Sequence, residues 1–394
     1  MLKEMKYLRY PISIQTFEKI IEGKYAYVDK TDLVYDLAQE NVCFLSRPRR
    51  FGKSLLISTL EAYFTGRKEL FEGLKIDSLE TKWEKYPVFR IDFADGDYTD
   101  SDLLLKKLEE IIGGFEKKYG KSDLYTTLTG RFKYVLELAE EKTGHKAVVL
   151  IDEYDKPMLD VLGTDLEEKN RNILKGFYGT FKSADANLRF VLLTGVTKFS
   201  QISVFSGFNQ PNDISMNSKF DAICGITEEE LHDCFAEPIL EMADRMECTE
   251  DEVKEMLKKQ YDGYHFSQKM LDIYNPFSLI NAFNSMDIEN YWYRSGTPTY
   301  LVKLLEGHSV NMQKLTSKAY ESQYFVDYRA DSEDPLAMLY QSGYLTIKDY
   351  DEQYDEYWLD YPNDEVRKGF VTLMANNKIK KKVEYPDSWI KNLD

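Results

Sequence analysis

The stretch that decides the fold is Val42-Cys43-Phe44-Leu45-Ser46-Arg47-Pro48-Arg49-Arg50-Phe51-Gly52-Lys53-Ser54, continued by Leu55-Leu56-Ile57-Ser58-Thr59-Leu60-Glu61-Ala62-Tyr63-Phe64. Val42 to Leu45 is a short apolar run and reads as a buried strand. After Ser54, apolar residues at Leu55, Leu56, Leu60 and Phe64 suit one face of a helix. The basic loop between them ends in Gly52-Lys53-Ser54. Strand, loop and helix in that order are what a phosphate-binding loop needs. Backbone N–H groups at a helix N-terminus point outward and carry partial positive charge. Gly52 lets the backbone approach phosphates with no Cβ in the way. Lys53 reaches the β- and γ-oxygens of a triphosphate, and the Ser54 hydroxyl ligates Mg²⁺. The candidate ATP-binding residues are therefore Arg47, Pro48, Arg49, Arg50, Phe51, Gly52, Lys53, Ser54 and Leu55. The usual pattern, G-x-x-x-x-G-K-[ST], would put its first Gly at position 47, where this chain has Arg47. Pro48 is expected to stiffen the entry instead, with Arg47, Arg49 and Arg50 adding positive charge.

A second stretch, Ala147-Val148-Val149-Leu150-Ile151-Asp152-Glu153, is a buried strand of β-branched and aliphatic residues ending in two carboxylates. An acid at the C-terminal end of a strand beside a phosphate loop holds Mg²⁺ through water. Asp152 fits that role and shares the metal with Ser54. Glu153 fits the adjacent general base, which polarises the attacking water. Lys53 and Glu153 are thus candidate catalytic residues.

With both motifs in place the chain resembles the AAA-ATPase-like family of bacterial proteins, whose members often carry a PD-(D/E)XK-type nuclease domain behind the ATPase. The resemblance rests on Tyr27-Val28-Asp29-Lys30-Thr31, Ser46 to Ser54, Leu150-Ile151-Asp152-Glu153-Tyr154-Asp155 and Thr194-Gly195-Val196-Thr197-Lys198-Phe199-Ser200. Tyr261-Asp262-Gly263-Tyr264, Asn275-Pro276-Phe277, Gly296-Thr297-Pro298, Gly343-Tyr344-Leu345-Thr346 and Tyr361-Pro362-Asn363 extend it over nearly the whole chain. The form Arg-Pro-Arg-Arg-Phe-Gly-Lys-Ser is specific to the family, and the Arg at position 47 is part of its pattern. The resemblance implies a polar sensor at the end of the strand between the phosphate loop and the acidic strand. Thr194 is that candidate, a third catalytic residue, with Thr197 and Lys198 behind it. The resemblance also implies that the segment before the loop lies near the adenine. Tyr27 either stacks there or is a packed surface aromatic.

Composition sets outer bounds. The chain has 394 residues, room for two or three domains. Its 43% hydrophobic content suits a folded globular protein. The formal net charge of −17 argues against tight duplex DNA binding, which draws on a basic surface. Cys43, Cys224, Cys234 and Cys248 form no C-x-x-C pair and read as free thiols of a reducing compartment. The first ten residues lack an apolar signal core, and no run of about 18 apolar residues exists, so no membrane span is expected. A cytoplasmic protein is the expectation.

Strands are expected at Tyr86–Phe93, Ala147–Ile151 and Arg189–Thr194, alternating with helices at Ser101–Tyr119, Gly130–Lys142 and Leu166–Ala184. That alternation predicts an α/β fold with a parallel sheet and helices on both faces. Ser200–Asn217 reads as a long loop. From Thr227 helices dominate, at 228–246, 250–260, Asn275–Phe283 and Pro298–Glu306, plausible as a helical lid. A helix over Asp334–Ser342 followed by a hairpin with an acidic turn suggests a small winged-helix-like module. The expected division is 1–225 for the P-loop domain, 226–308 for the lid and 309–394 for the C-terminal module. Too little chain follows Pro362 for the sheet of a nuclease, so none is expected here. Three functions remain open: an ATPase that controls a protein partner, a nucleotide-gated switch or scaffold with little turnover, and the regulatory ATPase part of a nucleic-acid-processing system.

Overall fold

The computed structural model describes residues 9–199, 211–295, 300–302, 305, 312–328 and 335–384, with side chains to residue 375. Two helices, α1 (Phe17–Glu22) and α2 (Thr31–Leu37), precede the first strand, β1 (Val42–Ser46). Then come α3 (Lys53–Phe64), β2 (Val88–Asp92), α4 (Leu103–Tyr119), α5 (Leu128–Thr143) and β3 (Ala147–Asp152). The short α6 (Lys156–Leu159), α7 (Leu166–Ser183), β4 (Leu188–Gly195) and β5 (Asn212–Asp213) complete this part.

Among the described residues the main sheet has five strands in the order β2-β3-β4-β1-β5, all parallel. Register assigns its faces. Phe89 pairs with Val149 and Val149 with Val191, so these share one face, while Phe190 pairs with Val148 on the other. Phe89 meets Phe115 of α4 and Phe132 of α5, and Phe132 stacks on Phe177 of α7. On the opposite face Phe190 meets Phe64 of α3, 5.2 Å between ring centres. Helices therefore cover both faces. This is why β3 is buried along its whole length and reads as an unbroken apolar run rather than an alternation. Chain order reverses at β1: the strand after it lies at one edge and the strand after β4 at the other. Such a reversal opens a crevice at the carboxyl ends of the strands.

The next part is helical. β6 (Ile226–Thr227) leads into α8 (Glu228–Met246), followed by α9 (Glu250–Tyr261), β7 (Ile273–Tyr274) and α10 (Pro276–Ser285). Thr227 and Glu230 form a reciprocal capping box on α8, as the acidic start predicts. Phe235 leaves helical geometry three residues before Pro238, whose ring and missing N–H disrupt the turn before it. Leu231, Phe235, Ile239, Val253, Leu257, Leu279 and Phe283 form a core of their own.

The last part begins with α11 (Tyr291–Arg294) and continues through a helix at Met312–Thr316, β8 (Ala319–Glu321), a helix at Gln323–Val326 and a helix at Leu336–Gln341. A hairpin of β9 (Thr346–Asp351) and β10 (Glu356–Asp360) precedes the final described helix, Asp364–Glu384. The small sheet runs β8-β10-β9, antiparallel. Leu336, Met338, Leu339, Tyr344, Leu345 and Leu359 join the same core as the main sheet.

Three readings need correction. The expected loop over Ser200–Asn217 contains β5, a two-residue edge strand too short to leave a periodic signal; residues 200–210 lie outside the described residues. The acidic turn, expected over Asp349–Glu356, is shorter because β9 extends to Asp351 through charged residues and β10 begins at Glu356. β8 was not expected, since three residues carry no pattern and its pairing partner lies over 30 positions away. The expected helix Pro298–Glu306, the Gly296-Thr297-Pro298 motif and Asp334 fall largely outside the described residues. No helix among the described residues is long and apolar enough to cross a membrane.

Candidate nucleotide site

The loop between β1 and α3 sits at the crevice. Gly52 adopts φ +93 and leads directly into α3, a left-handed conformation that suits a residue without Cβ. Lys53 opens α3 and is buried, 6% exposed. Its ammonium donates to the carbonyls of Arg47 (2.9 Å) and Pro48 (3.0 Å), closing the loop on itself. Burial lowers its pKa, and the neighbouring charges of Glu153, Asp152 and Asp155 oppose that shift. The acidic strand end and the lysine thus feel one another across the crevice. Ser54 and Leu55 are half-buried on the first turn, and Arg49 and Arg50 are exposed.

β4 lies between β1 and β3, so Thr194 stands between the loop and the acids. Its hydroxyl donates to Asp152 Oδ1 at 2.8 Å, and the Glu153 N–H donates to the same oxygen at 3.1 Å. Asp152 is 1% exposed, and its Oδ2 is buried with no hydrogen-bond partner among the described residues. A buried carboxylate oxygen without a donor is costly unless a ligand completes it. A carboxylate and a hydroxyl are the hard oxygen donors that Mg²⁺ takes, so Asp152 and Ser54 fit that ion. Glu153 follows in the left-handed region, φ +49. A non-glycine residue held there costs energy that the surrounding structure must offset, and such strain concentrates at functional sites.

Arg47 requires a correction. Its guanidinium does not add charge to the loop mouth. It is 1% exposed and donates to the carbonyls of Ser46 (2.9 Å), Ser215 (2.8 Å) and Phe220 (3.1 Å), with its plane over the Phe266 ring at 4.0 Å. Pro48 is buried too: a Cβ on Gly343 would lie 2.7 Å from Pro48 Cβ. Phe51 is buried edge-on to Tyr264 at 4.8 Å. Lys198 is likewise committed, in ion pairs with Asp213 (2.8 Å) and Asp327 (2.9 Å). Thr197 turns its N–H to Asp155.

Tyr27 packs edge-to-face on Phe17 and at the same time lines a cleft with Gly52, Leu55, Gly225, Ile226 and Pro276. The packing reading of Tyr27 is thus borne out, and the cleft leaves room for a ligand beside it.

Sequence reasoning gave Asp155 no role. It is buried, accepts from the N–H groups of Val196 (3.0 Å) and Thr197 (2.6 Å), and so fixes the turn that follows Thr194. Burial raises its pKa to about 7; the Thr197 N–H opposes the rise and the charge of Glu153 adds to it. Its place three residues after Asp152 was the available signal. Trp292 was also missed. Its indole N–H donates to the Arg49 carbonyl at 3.1 Å, across 243 positions of sequence that no local pattern spans.

A family model described as "Predicted AAA-ATPase" matches residues 11–205, the part that holds the loop, the acids and Thr194. A protein of Azotobacter chroococcum mcd 1, described as an uncharacterized protein in the vnfD 5' region, is 37% identical over 362 residues, 91% of this chain and 68% of that protein. The chain belongs to the AAA-ATPase-like family. As a member of the AAA-ATPase-like family it carries a nucleotide-binding P-loop fold. The Aeropyrum pernix ORC2 protein, solved in ADPNP and ADP complexes, aligns at 12% identity over 96% of this chain and 98% of its own, with a TM-score of 0.34. The Aeropyrum pernix ORC1 protein in complex with DNA aligns at 10% identity over 93% and 97%, with a TM-score of 0.28. Superpositions this loose say nothing further about this AAA-ATPase-like chain.

Proposed function

We propose that this chain is a Mg²⁺-dependent ATPase that uses ATP binding and hydrolysis to control a protein partner in the cytoplasm. The observation that carries the reading is Asp152: one carboxylate oxygen fixed by Thr194 and by the Glu153 N–H, the other buried and without a donor among the described residues, beside the charge of Lys53. Lys53 would exchange its two carbonyl partners for phosphate oxygens. Exposed Arg49 and Arg50 add charge at the loop. Mg²⁺ held by Ser54 and Asp152 would neutralise charge on the phosphates. Glu153 accepts the proton of the attacking water, and Thr194 keeps Asp152 oriented. The cleft beside Tyr27, next to Gly52 and Leu55, suits the base, because apolar walls with few polar groups are what a planar heterocycle fills.

The second reading, a nucleotide-gated switch with little turnover, draws on the number of contacts between the loop and the C-terminal half. Phosphate release with Mg²⁺ and ATP separates the two. Glu153→Gln is expected to keep ATP-induced thermal stabilisation while turnover drops about a hundredfold or more. Lys53→Ala is expected to lose that stabilisation. Hydrolysis by Glu153→Gln at the parental rate would leave the switch as the better account.

A further inference from the structure

Residues 47 to 51 of the phosphate loop are gripped one after another by the C-terminal half of the chain. The Arg47 guanidinium lies over Phe266. Pro48 abuts Gly343. The Arg49 carbonyl accepts from Trp292 Nε1. Arg50 lies over the Phe277 ring at 4.9 Å. Phe51 packs edge-on against the stacked rings of Tyr264 and Phe266, with ring centres 4.8 and 5.6 Å away. The loop needs such support. Arg50 has φ +68, a conformation that non-glycine residues hold only when the surroundings over-determine it. The carbonyl held by Trp292 belongs to the peptide immediately before this strained residue.

Trp292 is itself held. Its backbone N–H donates to Glu365 Oε1 at 2.7 Å, and its ring packs on Tyr344 at 5.1 Å. The Ser278 hydroxyl donates to Glu365 Oε2, also at 2.7 Å. Glu365 is 1% exposed and stands in the first turn of the final helix. An unbroken series of contacts therefore runs from the phosphate loop through Trp292 to the head of that helix, with a branch through Ser278 to α10.

We propose that Trp292 and Glu365 are positioning residues that hold the phosphate loop in its nucleotide-binding shape and so link nucleotide occupancy to the helix that begins at Asp364. The inference rests on the nucleotide reading above. Neither residue lines the cleft beside Gly52. Trp292 fixes a loop carbonyl, and Glu365 fixes Trp292. Lys53 closes on the carbonyls of Arg47 and Pro48 within the same loop, so a ligand that draws Lys53 away acts directly on the backbone that Trp292 holds.

The test uses the full chain with Mg·ATP as the probe. Trp292→Phe keeps a ring against Tyr344 and removes the indole donor. Glu365→Ala removes both acceptors. Glu365→Gln keeps an oxygen for the Trp292 N–H and presents an amide to the Ser278 hydroxyl. Expected are about tenfold weaker Mg·ATP binding for Trp292→Phe and Glu365→Ala, and near-parental binding for Glu365→Gln. The parent should also show a nucleotide-induced change in tryptophan fluorescence that Trp292→Phe lacks. A purely structural role would lower stability without this fluorescence signature or the rescue by Gln. Should Trp292→Phe fail to fold, the Glu365 pair decides by itself. If the parent binds Mg·ATP and both Trp292→Phe and Glu365→Ala bind it within about twofold of parent, the linkage is wrong and the nucleotide reading survives. If the parent binds no Mg·ATP, the nucleotide reading falls and takes the linkage with it.

Discussion

Arg47 occupies a position where the general phosphate-loop pattern has glycine, and its environment explains why glycine would not serve here. The guanidinium satisfies three backbone carbonyls, at Ser46, Ser215 and Phe220, and covers Phe266. Burial works against its charge, and the acid of Asp221 works in its favour. Arg47→Gly restores the familiar motif on paper, yet it leaves a cavity and three carbonyls to find new donors. We expect it to destabilise the fold by roughly 3 kcal/mol, read as a lower urea midpoint. A midpoint equal to parent would mean that the arginine is dispensable.

Glu365 supplies a pH test at the same scale. Burial raises its carboxyl pKa from 4.5 to about 7; donors from Ser278, Trp292 and Tyr293 oppose the rise. Tyr261 and Tyr264 also feel its charge. Since the folded value lies above the unfolded one, its contribution to stability is fully present below about pH 4.5 and is lost as pH rises through about 7. Glu365→Gln cannot titrate. Parent stability minus variant stability should therefore fall between pH 5 and pH 8, on the order of 2–3 kcal/mol, measured by denaturant unfolding at each pH. A flat difference would rule out the raised value.

At the scale of elements, α8 shows how one residue serves two structures. Glu230 completes the capping box with Thr227 and also pairs with Lys30, whose ammonium lies 2.5 Å from its carboxylate. Lys30 is 9% exposed and stands just ahead of α2, so this pair ties α8 to the segment before the phosphate loop. Thr227→Ala removes only the cap and is expected to cost about 1 kcal/mol. Glu230→Ala also strands a buried ammonium and is expected to cost about 3 kcal/mol. Comparable losses in thermal or urea unfolding would mean that the ion pair adds nothing to the cap.

The whole molecule bears on partners. Its net charge is −17, and the β9–β10 hairpin presents Asp349, Asp351, Glu352, Asp355 and Glu356 where a nucleic-acid-binding wing would carry basic residues. Of the loop's basic residues, Arg47 is buried on carbonyls and Lys53 is turned inward. Lys378 to Lys382 lie in the final helix beyond the described side chains. We expect no submicromolar binding of duplex DNA at about 0.15 M salt in a gel-shift assay, because tight non-specific binding takes several phosphate contacts from one basic face. A shift at that concentration would redirect attention to the C-terminal module and to the nucleic-acid reading.

By itself the sequence determined what local pattern can encode. Buried parallel strands are apolar throughout, so β1, β3 and β4 stood out and the α/β class followed. Gly52, Lys53 and Ser54 between a strand and a helix, and Asp152 with Glu153 at a strand end, are contiguous chemistry, so these candidate site residues were legible without any fold. Tertiary structure decided the rest, because it depends on groups far apart in the chain. The direction of the Arg47 side chain is set by carbonyls near position 220, the donor on Asp152 comes from Thr194 on the next strand, 42 positions later, and the hold on Arg49 comes from Trp292. A charged loop residue looks the same in sequence whether it faces a phosphate or a buried carbonyl; only packing supplies the partner that distinguishes them.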